Sequence, residues 1–123
     1  MPVSTENKDK LRKELERNDE IQITVSGRKS GRPITTIVWF VLDGTTLYLL
    51  PVKGSETQWL KNLLKRPSLT ISAGGVQGEF SATATTDRNM VSRVVKKFQD
   101  KYGVSEVKKY YTNFDAAVVV NLD

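Results

Sequence analysis

Cysteine and histidine are both absent from the 123 residues. Without cysteine there is no disulfide framework, no thiolate metal site and no thiol nucleophile, and without histidine the commonest metal ligand and neutral-pH base is gone. Long apolar runs are missing too. The longest, Ile37 to Leu42, is six residues, against roughly 18 for a membrane-spanning helix, so no transmembrane segment is expected. The charged opening, Met1 to Glu20, has no apolar stretch of the secretory type, which makes the cytoplasm the expected compartment. No carboxylate pair suggests glycosidase chemistry and no serine has a base partner. Any reaction must therefore draw its chemistry from a bound cofactor, and no metal site is expected.

What is present describes one folded domain over residues 1–123. Hydrophobic residues make up 38% and charged residues 27% of the chain, near the soluble average and far from a disordered composition, and the length suits a single core. The stretch Thr5 to Glu20 is helix-forming, with Leu11 and Leu15 as a thin apolar seam, so residues 1–20 read as a surface-lying helix and 21–123 as the body. Ile21, Ile23 and Val25 alternate with polar residues as in a half-buried strand. Ile34 to Leu42 and Thr46 to Val52 read as a hairpin about Asp43-Gly44. Ser55 and Gln58 fit a capping box for a short helix with an apolar stripe of Trp59, Leu60, Leu63 and Leu64, which packs on the sheet and stops at Pro67. Leu69 to Ala73 and Val76 to Thr86 form strands joined at Gly74-Gly75. Asp87 caps a helix ending at Tyr102-Gly103, a tyrosine-rich stretch follows, and Ala116 to Val120 closes the domain as a strand. The class is α+β: a small, mostly antiparallel barrel with helical crossovers.

Charge is concentrated. Ser26 to Arg66 holds seven basic residues and two acidic ones, whereas the remainder balances at twelve against twelve. Within that segment the loop Gly27-Arg28-Lys29-Ser30-Gly31-Arg32-Pro33 sets cations between glycines, so that backbone N–H groups and side chains converge on an anion. It lacks the glycine spacing of a Walker A loop, and by itself it reads first as a flexible basic turn between two strands. Lys53 and Gly54 lie just before a helix N-terminus, itself anion-favouring. Pairing outward from Asp43-Gly44 sets Ile34 opposite Lys53, which returns Lys53 to the basic loop and makes the two elements one site. Trp39 and Trp59 are core residues or ring contacts, and Tyr102, Tyr110 and Tyr111 are packing residues or phenol donors to a substrate.

These segments, in this order, resemble the deazaflavin-dependent nitroreductases, F-420-dependent reductases of the split β-barrel flavin-binding fold. The likeness is carried by Ser26-Gly27-Arg28-Lys29-Ser30-Gly31-Arg32-Pro33, Trp39 to Gly44, Val52-Lys53-Gly54, and Trp59-Leu60-Lys61-Asn62-Leu63 with Pro67. The resemblance implies that Arg28, Lys29, Ser30, Gly31 and Lys53, with Gly54 beside them, hold the coenzyme's phosphate and acidic tail. Arg32 replaces a family arginine where Ile34 stands here. Val38 and Trp39 would lie along the deazaflavin ring and Trp59 behind it; the tyrosines fall at other spacings than in the family, and Tyr102 and Tyr110 stand as candidate substrate contacts on their chemistry alone. Hydride would pass to a small electron-poor quinone, nitro compound or enone. Two alternatives stand beside this one: the same barrel holding FMN, and a barrel that binds single-stranded nucleic acid through cations and rings. A homodimer is left open.

Overall fold

A computed structural model describes residues 5–122; Met1 to Ser4 of the expected first helix lie outside the described residues. Helix α1 (Thr5–Arg17) is followed by strands β1 (Glu20–Ser26), β2 (Pro33–Trp39), β3 (Val41–Asp43) and β4 (Thr46–Leu49). A 3-10 turn (Gly54–Glu56) leads into α2 (Gln58–Lys65), then β5 (Ser68–Ala73), β6 (Val76–Thr85), α3 (Arg88–Tyr102), α4 (Val104–Tyr110) and β7 (Ala117–Asn121).

The seven strands form one antiparallel sheet in the order β2-β1-β5-β6-β7-β4-β3. Strands β2 and β3 stand at opposite ends of that order, yet only Phe40 separates them in the chain. A single residue spans less than about 4 Å, so the sheet has to curl until its ends meet, which closes it into a split barrel. The interior is filled from alternate positions: Ile21, Ile23 and Val25 of β1 and Val118 and Val120 of β7 join Phe40, Leu47, Leu60 and Ile71 in the main core. Ala117, on the other face of β7, packs instead with Val94, Phe98 and Val107 beneath α3 and α4. The α1 seam is as expected, with Leu11 and Leu15 both fully buried.

Three expectations change. The nine-residue strand Ile34 to Leu42 breaks at Phe40, whose backbone N–H donates to the Tyr102 hydroxyl (3.1 Å) and whose carbonyl accepts from Tyr102 Oη (2.7 Å) and Lys101 Nζ (2.8 Å). Its first part pairs with β1, so Ile34 faces Val25 and not Lys53. The hairpin turn falls at Gly44-Thr45, with Leu42 opposite Leu47. The run Ile37 to Leu42 is β-favourable throughout, so nothing local announces the break; barrel closure makes it. Ser55 does not cap α2 either. The helix starts at Gln58 after Thr57, while Ser55 donates from N and Oγ to Asp115 (2.7 and 2.6 Å). Helix α4 occupies the tyrosine-rich stretch, and with Val107 as its one buried residue it offers too little periodicity to be read from sequence.

Candidate functional site

The loop from Gly27 to Arg32 is held by its own backbone: Gly27 N–H donates to the Arg32 carbonyl and Gly31 N–H to the Gly27 carbonyl, both at 2.8 Å, and Arg32 N–H to Ser30 Oγ at 3.2 Å. Arg28 N–H donates to Asn62 Oδ1 at 3.1 Å. That leaves the consecutive N–H groups of Lys29 and Ser30 with no acceptor among the described residues, an arrangement suited to an anion. Gly27 keeps the loop tight, since a Cβ there would stand 2.9 Å from Ser30 Oγ. Arg28 itself turns inward to α2, its Nη1 on Asn62 Oδ1 (2.8 Å) and its Nη2 on Gln58 Oε1 (2.9 Å).

Two adjoining hollows meet along this edge. One, of about 320 Å³, is bounded by Gly27 to Ser30, Ile34 and Asn62; the other, of about 670 Å³, is bounded by Ile37 to Trp39, by Val52 and Lys53, and by Tyr110 and Tyr111. Thr36, Gln58 and Trp59 line both, so the two form one groove with a basic end and a mostly apolar, aromatic end. Lys29, Arg32, Lys53 and Arg66 make no ion pair among the described residues, whereas Glu56 in the groove wall is neutralised by Lys61 at 3.0 Å. Each of the two hollows is therefore lined by a lysine, Lys29 in the smaller and Lys53 in the larger, whose charge no ion pair among the described residues compensates.

The turn bearing Lys53 is pinned from both sides. Lys53 N–H donates to Thr57 Oγ1 at 2.8 Å, and Thr112 N–H donates to the Val52 carbonyl at 2.9 Å. Hydrogen bonds from Ser55 hold the Asp115 carboxyl below the usual aspartate range. At the aromatic end Trp39 stacks on Tyr102 (4.3 Å between ring centres, 8° between planes) and meets Tyr110 edge-on at 5.5 Å. Burial pushes the Tyr111 phenol far up, so it stays protonated at neutral pH.

The sequence matches the family described as "Uncharacterized protein conserved in bacteria (DUF2255)" over residues 12–122. The chain belongs to the DUF2255 family. No protein of curated function matches it. Among solved structures it is similar to an F420-H2 dependent reductase (TM-score 0.66, 16% identity, 85% of this chain and 95% of that one). It is also similar to a candidate pyridoxamine 5′-phosphate oxidase from Listeria innocua (0.67, 16%, 93% and 90%). A third likeness is to the heme storage protein HutZ of Vibrio cholerae (0.67, 13%, 98% and 90%). At these identities the likeness is one of fold, and this DUF2255 chain shares the split-barrel fold of those proteins.

The residues singled out from sequence fall into two groups. Arg28, Lys29 and Ser30 line the basic hollow, and Val38, Trp39, Lys53, Trp59 and Tyr110 line the larger one. Gly31, Arg32, Gly54 and Tyr102 line neither hollow. Gly31 instead packs against the Arg66 guanidinium, which lies 3.6 Å from where a Cβ would be. Tyr111, a phenol candidate from sequence, lines the larger hollow, whereas sequence alone does not mark Gln58 and Asn62 as site residues, although Gln58, Asn62 and, just past the end of α2, Arg66 recur at every fourth residue, the spacing of one helix face turned to the loop.

Tyr102 is a scaffold for Trp39, its hydroxyl taken up by Phe40 and by the Asp19 carbonyl at 2.7 Å. Desolvation raises its pKa from 10.0 to about 12, so the folded state favours the protonated phenol. The stability this contributes is complete below pH 10 and is lost as pH rises toward 12. Tyr111 acts in the same direction, and Lys101, lowered by burial, in the opposite one. Tyr102→Phe is expected to destabilise the fold by about 1–2 kcal/mol at neutral pH, the scale of a hydrogen bond to partly buried backbone, and to flatten the alkaline decline. Urea titrations across pH 7–12 that superimpose for the two proteins would count against the assignment.

Proposed function

We propose that this DUF2255 chain is an oxidoreductase that binds F-420 and reduces a small electron-poor acceptor such as a quinone, nitro compound or enone. The reading is carried by one observation: two unpaired backbone N–H groups, at Lys29 and Ser30, open onto a groove whose other end is walled by Trp39, Trp59 and Tyr110. A ligand that fits has a flat ring at one end and negative charge at the other. The residues meet that demand. Lys29, Ser30 and Lys53, with Gly31, Arg32 and Gly54 shaping their turns, hold the phosphate and the acidic tail. Val38 and Trp39 lie along the ring, Trp59 closes the groove behind it, and Tyr110, 48% exposed, stands on the substrate side. When bound, F-420 supplies the hydride; the chain supplies position, exclusion of water and a fixed electrostatic field.

FMN is the second reading, since one phosphate also suits the amide pair of Lys29 and Ser30. The spread of uncompensated charge favours F-420: Lys29 lines the smaller hollow and Lys53 the larger, and a single phosphate on the Lys29 and Ser30 amides meets only the first. Heme, bound by one relative in fold, finds neither histidine nor cysteine in this chain to hold its iron, and the buried Tyr111 phenol resists the ionisation a tyrosinate ligand needs. Parallel fluorescence titrations with F-420, FMN and a single-stranded oligonucleotide test the assignment. A micromolar or tighter complex with F-420, accompanied by quenching of tryptophan emission, is the expected result. Saturation by FMN or oligonucleotide alone would replace the reading with the corresponding alternative.

A further inference from the structure

We infer that Arg28 is a positioning residue: its guanidinium fork latches the anion-binding loop onto α2, and it is not a ligand of the anion. The argument starts from Asn62, 95% buried on α2 and the only buried side-chain amide among the described residues (5% exposed). Its Oδ1 accepts from both the Arg28 N–H (3.1 Å) and Nη1 (2.8 Å), and Nη2 continues to Gln58 Oε1 one helical turn away (2.9 Å). Three donors of one residue thus span a whole turn of helix. A planar guanidinium bridges two acceptors in this way; an ammonium, a point donor on a flexible stem, does not.

The consequence for the site lies in the loop. The remaining internal bonds, Gly27 N–H to Arg32, Gly31 N–H to Gly27 and Arg32 N–H to Ser30 Oγ, close the loop on itself at the end of the β1–β2 pair but do not join it to α2. Arg28 alone among the loop side chains ties it to α2, and so it decides where the free N–H groups of Lys29 and Ser30 point. Gln58 is shared by both hollows, so the same latch sets the groove wall opposite Thr36. Acceptance by neutral amides leaves the arginine charge in place, adding to the field of the basic end without occupying it.

The affinity part of the test rests on the F-420 reading; the loop part does not. Arg28→Lys keeps the charge and loses the fork. In the unliganded protein it is expected to speed amide hydrogen exchange at Gly27 and Gly31 at least tenfold while leaving Ile71 in β5 unchanged, and to weaken F-420 binding about tenfold. The dependence of affinity on salt should stay as in the wild type, because the number of charges is the same. Asn62→Ala changes no charge and is expected to reproduce both effects. Lys29→Ala, by contrast, should leave loop exchange alone and make binding less salt-sensitive. Wild-type loop exchange in Arg28→Lys, or tighter binding in Asn62→Ala because the arginine is released toward the anion, overturns the inference. A wild-type protein that binds no F-420 removes the functional reading only, since the exchange measurements still decide whether the latch exists.

Discussion

Alanine at position 54 is expected to lower stability by about 2–3 kcal/mol and to loosen the turn that carries Lys53. Gly54 has φ of 57°, where an L side chain is strained by about 1–2 kcal/mol. The added Cβ would also overlap the Asp115 carboxylate and stand 2.9 Å from the Asn113 side-chain amide. Asp115 cannot move freely, because it accepts from Ser55 N and Oγ; displacing it gives up two charge-assisted bonds, discounted here for their exposure. A melting temperature about 6–12 °C below wild type follows from the entropy of unfolding of a domain this size. Ser55→Ala removes one of those bonds without backbone strain and should cost less than half as much. Equal stability of Gly54→Ala and wild type would mean that the turn is not the rigid clamp its contacts describe.

The second large effect concerns charge. Lys29→Ala and Lys53→Ala are each expected to weaken F-420 binding by about 1–3 kcal/mol, the range for hydrogen bonds to charged groups. Together they should cost about 2–4 kcal/mol, roughly 30- to 1,000-fold in Kd at low salt. Both side chains are exposed and unpaired in the described residues, so neither substitution leaves a buried partner behind and the fold should be unaffected. The loss should shrink as salt is raised, since screening at physiological ionic strength acts over about 8 Å. A double variant that binds within twofold of wild type sinks the assignment of the two lysines to the coenzyme's anionic part.

The two lysines lie along one groove, but not by the route that strand pairing suggests. Counting register from Asp43-Gly44 sets Lys53 against Ile34 in a flat hairpin; in the barrel those strands never pair, and Thr36 of β2 and Gln58 and Trp59 of α2 form the wall the two sites share. Tyr102 shows the same limit. A tyrosine before a helix-ending glycine looks available to a ligand, yet its hydroxyl is taken by the backbone of Phe40, 62 residues away. Arg28 was legible as a cation in a glycine-bounded loop, whereas its attachment to Asn62, 34 residues on, was not.

Local properties of the chain were sufficient for everything that depends on near neighbours: the alternation that makes β1 a half-buried strand, the Gly74-Gly75 turn, the Asp87 cap that accepts from Met90 N–H at 3.0 Å, and the surplus of cations between Ser26 and Arg66. Those follow from side-chain period, backbone freedom and composition, which neighbouring residues settle among themselves. Closure of the sheet decided the rest. Bringing β2 and β3 together across Phe40 fixes which side chains face the groove, which cations keep their charge free and which arginine is spent on holding the loop, because contacts between distant segments are set by the curvature of the whole barrel and by no stretch of it alone.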